Sequence, residues 1–390
     1  MHARPPPSTP ATPVWHDAKR HAWLLSGLFP GLAWLVLWRH QASGSVVWLW
    51  VLPAVTYTVI PLLDAWLGED RGNPPDAVVP ALEADRWYLG VLLLFVPLQF
   101  GMTLHGAWIV AREPAGPLGL PGFIGLVLTV GGMNGIAINT AHELGHKHAA
   151  WERWLARVVL APVAYGHFFV EHNRGHHRRV ATPQDPASAR LGEGFWVFLP
   201  RTLLGGLRSA WALEADRLGH QGLPAWHWRN ECLRAWAMTV VLYAGLVAWL
   251  GWGALPFLLV QAAYGASLLE VVNYIEHYGL LRQPGERCAP EHSWNSNHPV
   301  SNVFLYHLQR HSDHHAHPAR RYQALRHFDS APQLPAGYAG LLLVACVPPL
   351  WFRLMDRRVL AHYGGDLARA NLQPSRRAAL QRRWGSIQKR

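Results

Sequence analysis

Six stretches of this 390-residue chain stay apolar for close to the ~20 residues that an α-helix needs to cross a bilayer. They are residues 22–38, 46–67, 88–110, 118–140, 233–250 and 255–275. No water reaches a backbone N–H or C=O inside lipid, so such stretches must be helices that close their own hydrogen bonds. The sequence therefore predicts an all-α membrane protein with about six transmembrane helices. Charged residues make up 15% of the chain, against the ~25% of ordinary soluble domains, which points the same way. Two further apolar runs, residues 158–170 and 341–355, are too short to cross, and Pro348 and Pro349 interrupt the second; both read as buried or re-entrant helices. The 21 tryptophans suit the aromatic belts at a membrane surface.

Orientation follows from charge. Lys and Arg outnumber Asp and Glu by 35 to 24, with arginines crowded between Arg153 and Arg234 and after Arg353. The positive-inside rule puts both regions in the cytoplasm of a multi-pass inner-membrane protein. Parity agrees: with a cytoplasmic N-terminus, the fourth and sixth spans end on the cytoplasmic side, and the basic regions follow them. Residues 1–20 are proline-rich and expected to be disordered. The first apolar run is longer than a signal-peptide core, so no cleavage is expected. Residues 21–355 form one membrane-embedded domain with a cytoplasmic cap, and residues 356–390 a basic tail. A nucleic-acid partner is not expected, because the arginines behind the net charge of +11 are scattered beside apolar helices with no recognisable binding fold. Cys232, Cys288 and Cys346 lie far apart with no C-x-x-C pair, which predicts free thiols.

The 24 histidines are clustered. His142 and His146 lie in HELGH, His172, His176 and His177 in EHNRGHH, His277 in NYIEHYG, and His311, His314 and His315 in QRHSDHH. Spacings of three and four residues put imidazoles on one helix face, and the fourth and sixth spans bring two groups to the same membrane surface. HELGH matches the H-E-x-x-H of zinc proteases, but a membrane metalloprotease would also need an aspartate ligand in an Asp-Gly context, and the chain has no Asp-Gly pair. A catalytic zinc takes three protein ligands. Nine imidazoles are too many for one ion and suit two, with iron, copper, zinc or nickel compatible with neutral imidazole. His307, His167 and His148 are near misses beside these groups, and His105 reads as a hydrogen-bonded interior residue.

Polar side chains accompany the histidines. Glu143, Glu171, Asn139 and Asn273 are expected to accept the second ring N–H of the ligands and fix their orientation. Glu276 and Asp313, which share that reading, and Glu270, deeper in the sixth span where an ionisable group needs a function, are the candidate catalytic carboxylates.

At NTAHELGHKH, YGHFFVEHNRGHHRRVATPQDPASAR, NYIEHYGLLRQ, HSWNSNH and LYHLQRHSDHHAHPARRYQ the chain resembles the integral-membrane alkane 1-monooxygenases, the non-haem di-iron alkane hydroxylases. Weaker similarity, in PLLDAWLGEDRGNPP and GYAGLLLVACVPPLWFRLMD, extends the resemblance over nearly the whole chain. The histidine boxes alone are shared with membrane fatty-acyl desaturases, and hydroxylases of aromatic methyl groups carry similar ones. The resemblance implies that the nine histidines bind two irons. It also implies that medium- to long-chain n-alkanes are hydroxylated at a terminal methyl group, one atom of O2 entering the primary alcohol and the other leaving as water. The two electrons would come from a separate rubredoxin, itself reduced by an NADH-dependent reductase. By the same resemblance the second span lines the substrate channel, with Thr56 and Thr58 as the candidate wall residues.

Overall fold

A computed structural model describes residues 15–113 and 118–384. The described residues form helices and loops, with two isolated bridges, Leu191 to Leu372 and Asn295 to Gln333, and no strand. Five helices are long and apolar enough to cross a membrane: Val46–Leu67, Arg86–Arg112, Gly119–Gly145, Glu231–Leu250 and Ala254–His277. The first expected span forms the helix Leu24–Ser43. It falls short of the other five in composition because it ends in Arg39-His40-Gln41. Its path nevertheless runs the full length of its neighbour. At one end Asp17 accepts from Tyr88 at 2.8 Å, and at the other His40 lies 3.3 Å from Glu113. Leu25, Leu28, Leu35 and Trp38 are exposed along it, which is the face a lipid-embedded helix presents.

Gly119–Gly145 is the central helix: 78% of its apolar window is buried, against 17% for Glu231–Leu250. Its glycines make this possible. A Cβ on Gly131 would come within 2.6 Å of the Gln261 carbonyl oxygen, and one on Gly265 within 2.9 Å of the Gly131 oxygen. Gly119–Gly145 and Ala254–His277 thus pack backbone to backbone, as small residues allow in lipid where no hydrophobic force drives helices together. Asn134 reinforces the contact, accepting from Gln99 at 3.0 Å and donating to Gln261 at 2.8 Å. This close pair delivers His142 and His277, both at helix C-terminal ends, to one face of the molecule.

The second span is irregular. It begins as a 3-10 turn, Val46–Trp50, and contains a π-helical turn, Val55–Val59, before ending at Leu67. Neither short apolar run forms one continuous helix. Residues 158–170 finish the helix Ala150–Val159 and turn back into Phe168–Val170, and the later run breaks between the helices Tyr338–Ala345 and Pro348–His362.

Two expected boundaries move. Residues 1–14 lie outside the described residues, but from Trp15 the chain is docked: Lys19 reaches Asp70 at 2.8 Å and His307 at 3.2 Å, and Trp23 is fully buried. The C-terminal segment is no separate tail. Leu191 donates to the Asn371 carbonyl at 2.6 Å and Gln373 donates back to Leu191 at 3.0 Å. Asn371 donates to Gly279, two residues past His277, and Leu380 and Trp384 are buried. Apolar side chains in the basic segment hold it against the cap.

Candidate metal centre

The nine expected histidines converge in two groups. His142, His146, His172, His177 and His314 form one and His176, His277, His311 and His315 the other, with the candidate ligand atoms of each group within 4.8 Å of one another. His142 comes from the end of Gly119–Gly145 and His277 from the end of Ala254–His277. His311, His314 and His315 come from the one-and-a-half-turn helix His311–Ala316. The middle box is built differently, because Glu171–His176 is a π-helical turn. In an α-helix His177 would point about 140° away from His172 at ~100° per residue. An i→i+5 turn stacks the two instead, and their Nε2 atoms are 3.1 Å apart in the same group. His176, one position back, is turned to the other group.

The ring nitrogens are spaced as ligands of an ion. Nε2 of His314 lies 2.8 Å from that of His142 and 3.1 Å from that of His177. In the second group His315 Nε2 lies 2.9 Å from His311 and 3.3 Å from His176. Bonds of ~2.0–2.1 Å at right angles place neighbouring nitrogens about 2.9 Å apart. His146 Nε2 and both ring nitrogens of His277 are buried with no hydrogen-bond partner among the described residues, a costly arrangement unless a metal satisfies them. Burial, reinforced by neighbouring imidazoles, holds His146, His172, His177, His311, His314 and His315 well below the ordinary histidine pKa. They are therefore neutral, as a metal ligand must be.

The expected polar partners divide. Glu276 lies at the second group, its Oε2 3.2 Å from His311 Nε2, while its Oε1 accepts from the Tyr338 hydroxyl at 2.9 Å. Glu270 sits lower, accepting from Tyr165 and Thr202 at 2.7 Å each and from Asn273 at 3.1 Å. It lines a small polar cavity with His172, His176 and Glu171. Asp313 is placed elsewhere: its carboxylate is spent on Arg320, His317 and the Arg326 N–H at 2.6 to 2.8 Å, so it fastens the loop after the box and meets none of the nine imidazoles. Glu143 holds Lys147 at 2.8 Å and accepts from the Tyr322 N–H at 3.2 Å. Glu171 pairs with Arg179 at 2.8 Å, and burial pushes its carboxyl up to about 7. Asn139 donates to the Leu305 carbonyl. None of Glu143, Glu171, Asn139 and Asn273 makes a hydrogen bond to a clustered imidazole among the described residues.

A second carboxylate beside a clustered imidazole, after Glu276, was not singled out in the sequence. Asp185 Oδ2 lies 2.9 Å from His176 Nδ1 and accepts from Ser188 at 2.6 Å. It stands in TPQDPAS, where an aspartate before a proline reads as a turn residue; its distance of nine residues from His176 was the available signal. The near misses stay outside. His307 bonds the Tyr322 carbonyl and Lys19, His167 packs on Tyr165 and Trp236, His148 is exposed, and His105 bonds Gln41.

An apolar cavity lies next to this centre. Thr56, Phe29, Ile60, Phe304 and Leu342 line its outer part. Asn139, Leu269, Val272 and Leu308 line both it and a smaller space that reaches His142, His172 and His311. Thr58 is exposed on the other side of the π turn and lines no part of it.

Comparison with known proteins agrees with this geometry. Residues 117–342 match the fatty acid desaturase family model. Alkane 1-monooxygenase 1 of Alcanivorax borkumensis is 46% identical over 387 residues, covering 98% of this chain and 95% of the relative. The alkane 1-monooxygenase of Ectopseudomonas oleovorans is 46% identical over 382 residues, covering 96% and 94%. A xylene/toluene monooxygenase hydroxylase component of Pseudomonas putida is 28% identical over 316 residues, covering 80% and 82%. With nine clustered imidazoles in two groups next to an apolar cavity, this chain belongs to the alkane 1-monooxygenase family of membrane oxidoreductases.

Proposed function

We propose that the two histidine groups hold two irons and that the protein hydroxylates the terminal methyl group of medium- to long-chain n-alkanes, using O2 and electrons from rubredoxin, at the cytoplasmic side of the inner membrane. The observation that carries the reading is an apolar cavity lined by Thr56 that shares the walls Asn139, Leu269, Val272 and Leu308 with a smaller space at the imidazoles of His142, His172 and His311. An alkane has no charge, dipole or acidic proton, so acid–base and nucleophilic groups have nothing to act on; bound iron would supply the oxidant by activating O2. The chain's own residues do the rest. Phe29, Ile60, Phe304 and Leu342 give the larger cavity an apolar lining, so a hydrocarbon already dissolved in lipid would occupy it with little desolvation cost. The narrow approach admits an end of the chain more readily than a midpoint, which favours the methyl group. Glu276, which accepts from the Tyr338 hydroxyl beside His311, would hold or pass a proton at its Oε2. The arginine-rich cap favours a cytoplasmic location.

The test is purified protein in lipid nanodiscs, assayed for metal and then incubated with 18-O2, rubredoxin, its reductase, NADH and dodecane. Two irons per chain and labelled 1-dodecanol are expected. One zinc with no iron, or an alkene from acyl chains in place of the alcohol, would overturn the reading.

A further inference from the structure

A small polar cavity of about 20 Å³ also borders the centre. His172 and His176, one from each histidine group, form part of its wall, and His167, Glu171, Thr202 and Glu270 form much of the rest. Two polar atoms of this wall, Glu171 Oε2 and His167 Nε2, are buried with no hydrogen-bond partner among the described residues. Each residue is only 8% exposed, and the two stand one turn apart, the Glu171 N–H donating to the His167 carbonyl at 3.0 Å. Burying such groups without a partner is costly. Glu270 accepts from Tyr165, Thr202 and Asn273, which uses three of the about four acceptor sites of a carboxylate. A water needs roughly 10–15 Å³ and two to four polar partners, so both the space and the groups suit one. Phe168, His172 and Asn273 line this cavity and also the space at His142 and His311. Glu171 Oε1 pairs with Arg179, whose side chain is 32% exposed and reaches the surface.

Converting an alkane and O2 into an alcohol and water breaks one C–H and the O–O bond and takes up two electrons and two protons. The electrons come from the donor protein. Both protons end on the oxygen atom that leaves as water, while the hydrogen taken from the methyl group returns in the alcohol. An apolar lining offers protons no hydrogen-bonded route, so they must arrive by a polar one. We propose that the polar cavity binds one ordered water between Glu171 Oε2, His167 Nε2 and Glu270, and that protons reach the centre through this water from the surface at Arg179. The proton role rests on the hydroxylase reading above. A water relays by taking up one proton and giving up another, so the carboxylates act as acceptors that orient it and need not change charge. Gly206 leaves the room for it. Buried in the helix Phe195–Gly219, this residue lines the cavity, and a Cβ there would meet only Glu171 Cγ within 4 Å, at 3.8 Å. A methyl group would therefore fit without moving protein atoms and would take the place of the water, which no hydrocarbon group can replace as a hydrogen-bond partner.

The test uses the iron-loaded enzyme in nanodiscs. A cryo-EM map that shows ordered waters should carry density between Glu171 and His167 in the wild type and none there in Gly206→Ala. With rubredoxin, its reductase, NADH and dodecane, Gly206→Ala should form 1-dodecanol about tenfold more slowly, at an unchanged KM for dodecane. It should release hydrogen peroxide in place of the alcohol and show a larger solvent deuterium isotope effect. Gly206→Ser, whose hydroxyl stands in for the water, should recover most of the rate, whereas a pure packing effect would strike serine at least as hard as alanine. His167→Leu, which removes one partner of the water and adds no volume, should repeat the alanine pattern more weakly. An empty cavity in the wild-type map would overturn the site. Unchanged rate, peroxide release and isotope effect in Gly206→Ala and His167→Leu, or an equal loss in Gly219→Ala at the exposed end of the same helix, would overturn its role. No alcohol from the wild type would overturn the hydroxylase reading and the proton role together, whatever the map shows.

Discussion

The residue that best shows how the centre is held is Asp185. Its carboxylate fixes the ring of His176 from behind, and such partners commonly contribute 10–100-fold to metal affinity. Asp185→Ala is therefore expected to lose metal from the four-histidine group at chelator concentrations that leave the wild type loaded, as read by metal analysis. Asp185→Asn, which can still accept a hydrogen bond, should lose less. Asp313 makes the opposite case, since its bonds to Arg320, His317 and Arg326 build the loop and not the chemistry. Position in the sequence could not separate these two aspartates: Asp313 stands between ligands and faces away, whereas Asp185 stands outside every histidine box and faces in. Side-chain direction, which the loop path sets, decided both. Thr56 lies on the cavity wall, so Thr56→Trp should abolish turnover of the longer alkanes while sparing shorter ones, measured by gas chromatography across a chain-length series. An equal loss for all lengths would remove Thr56 from the passage.

Among the elements, the spans were legible because each needs an unbroken apolar run, and the two helices that deliver His142 and His277 could be placed by parity alone. The C-terminal segment was not legible, because its many arginines conceal a few apolar anchors. Within the helix Pro348–His362, Asp356 is 1% exposed and accepts from Tyr278 at 2.9 Å. Burial pushes its carboxyl up to about 6, against the hydrogen bond from Tyr278 and the charges of Arg383 and Arg376. The unfolded chain binds this proton only below about 3.9. Between those values the folded protein holds a proton that the unfolded chain has released, so this group's contribution to stability falls as pH rises through the window. Asp356→Asn, with no charge to bury, should be more stable than wild type by up to ~3 kcal/mol above pH 7. The advantage should shrink toward zero near pH 4, followed by thermal unfolding in detergent. A constant difference across that range would show that the group does not titrate as described.

At the scale of the whole molecule, the chain closes on itself. The segment after His362 is bonded to Leu191 beyond the middle histidine box and to Gly279 beyond His277. A stop codon after His362 is thus expected to yield aggregated protein with little bound metal, whereas a dispensable tail would leave a monodisperse, loaded enzyme by size-exclusion chromatography. The same interdependence applies to spacing within the middle box. The π turn Glu171–His176 holds one residue more than an α-helical turn of the same height, and that surplus brings His172 and His177 together while sending His176 to the other group. The centre is therefore encoded in a count as well as in identities. A descendant that wound residues 171–177 as a regular α-helix would inherit all nine histidines, pass any inventory of its ligands, and still turn His177 away from His172.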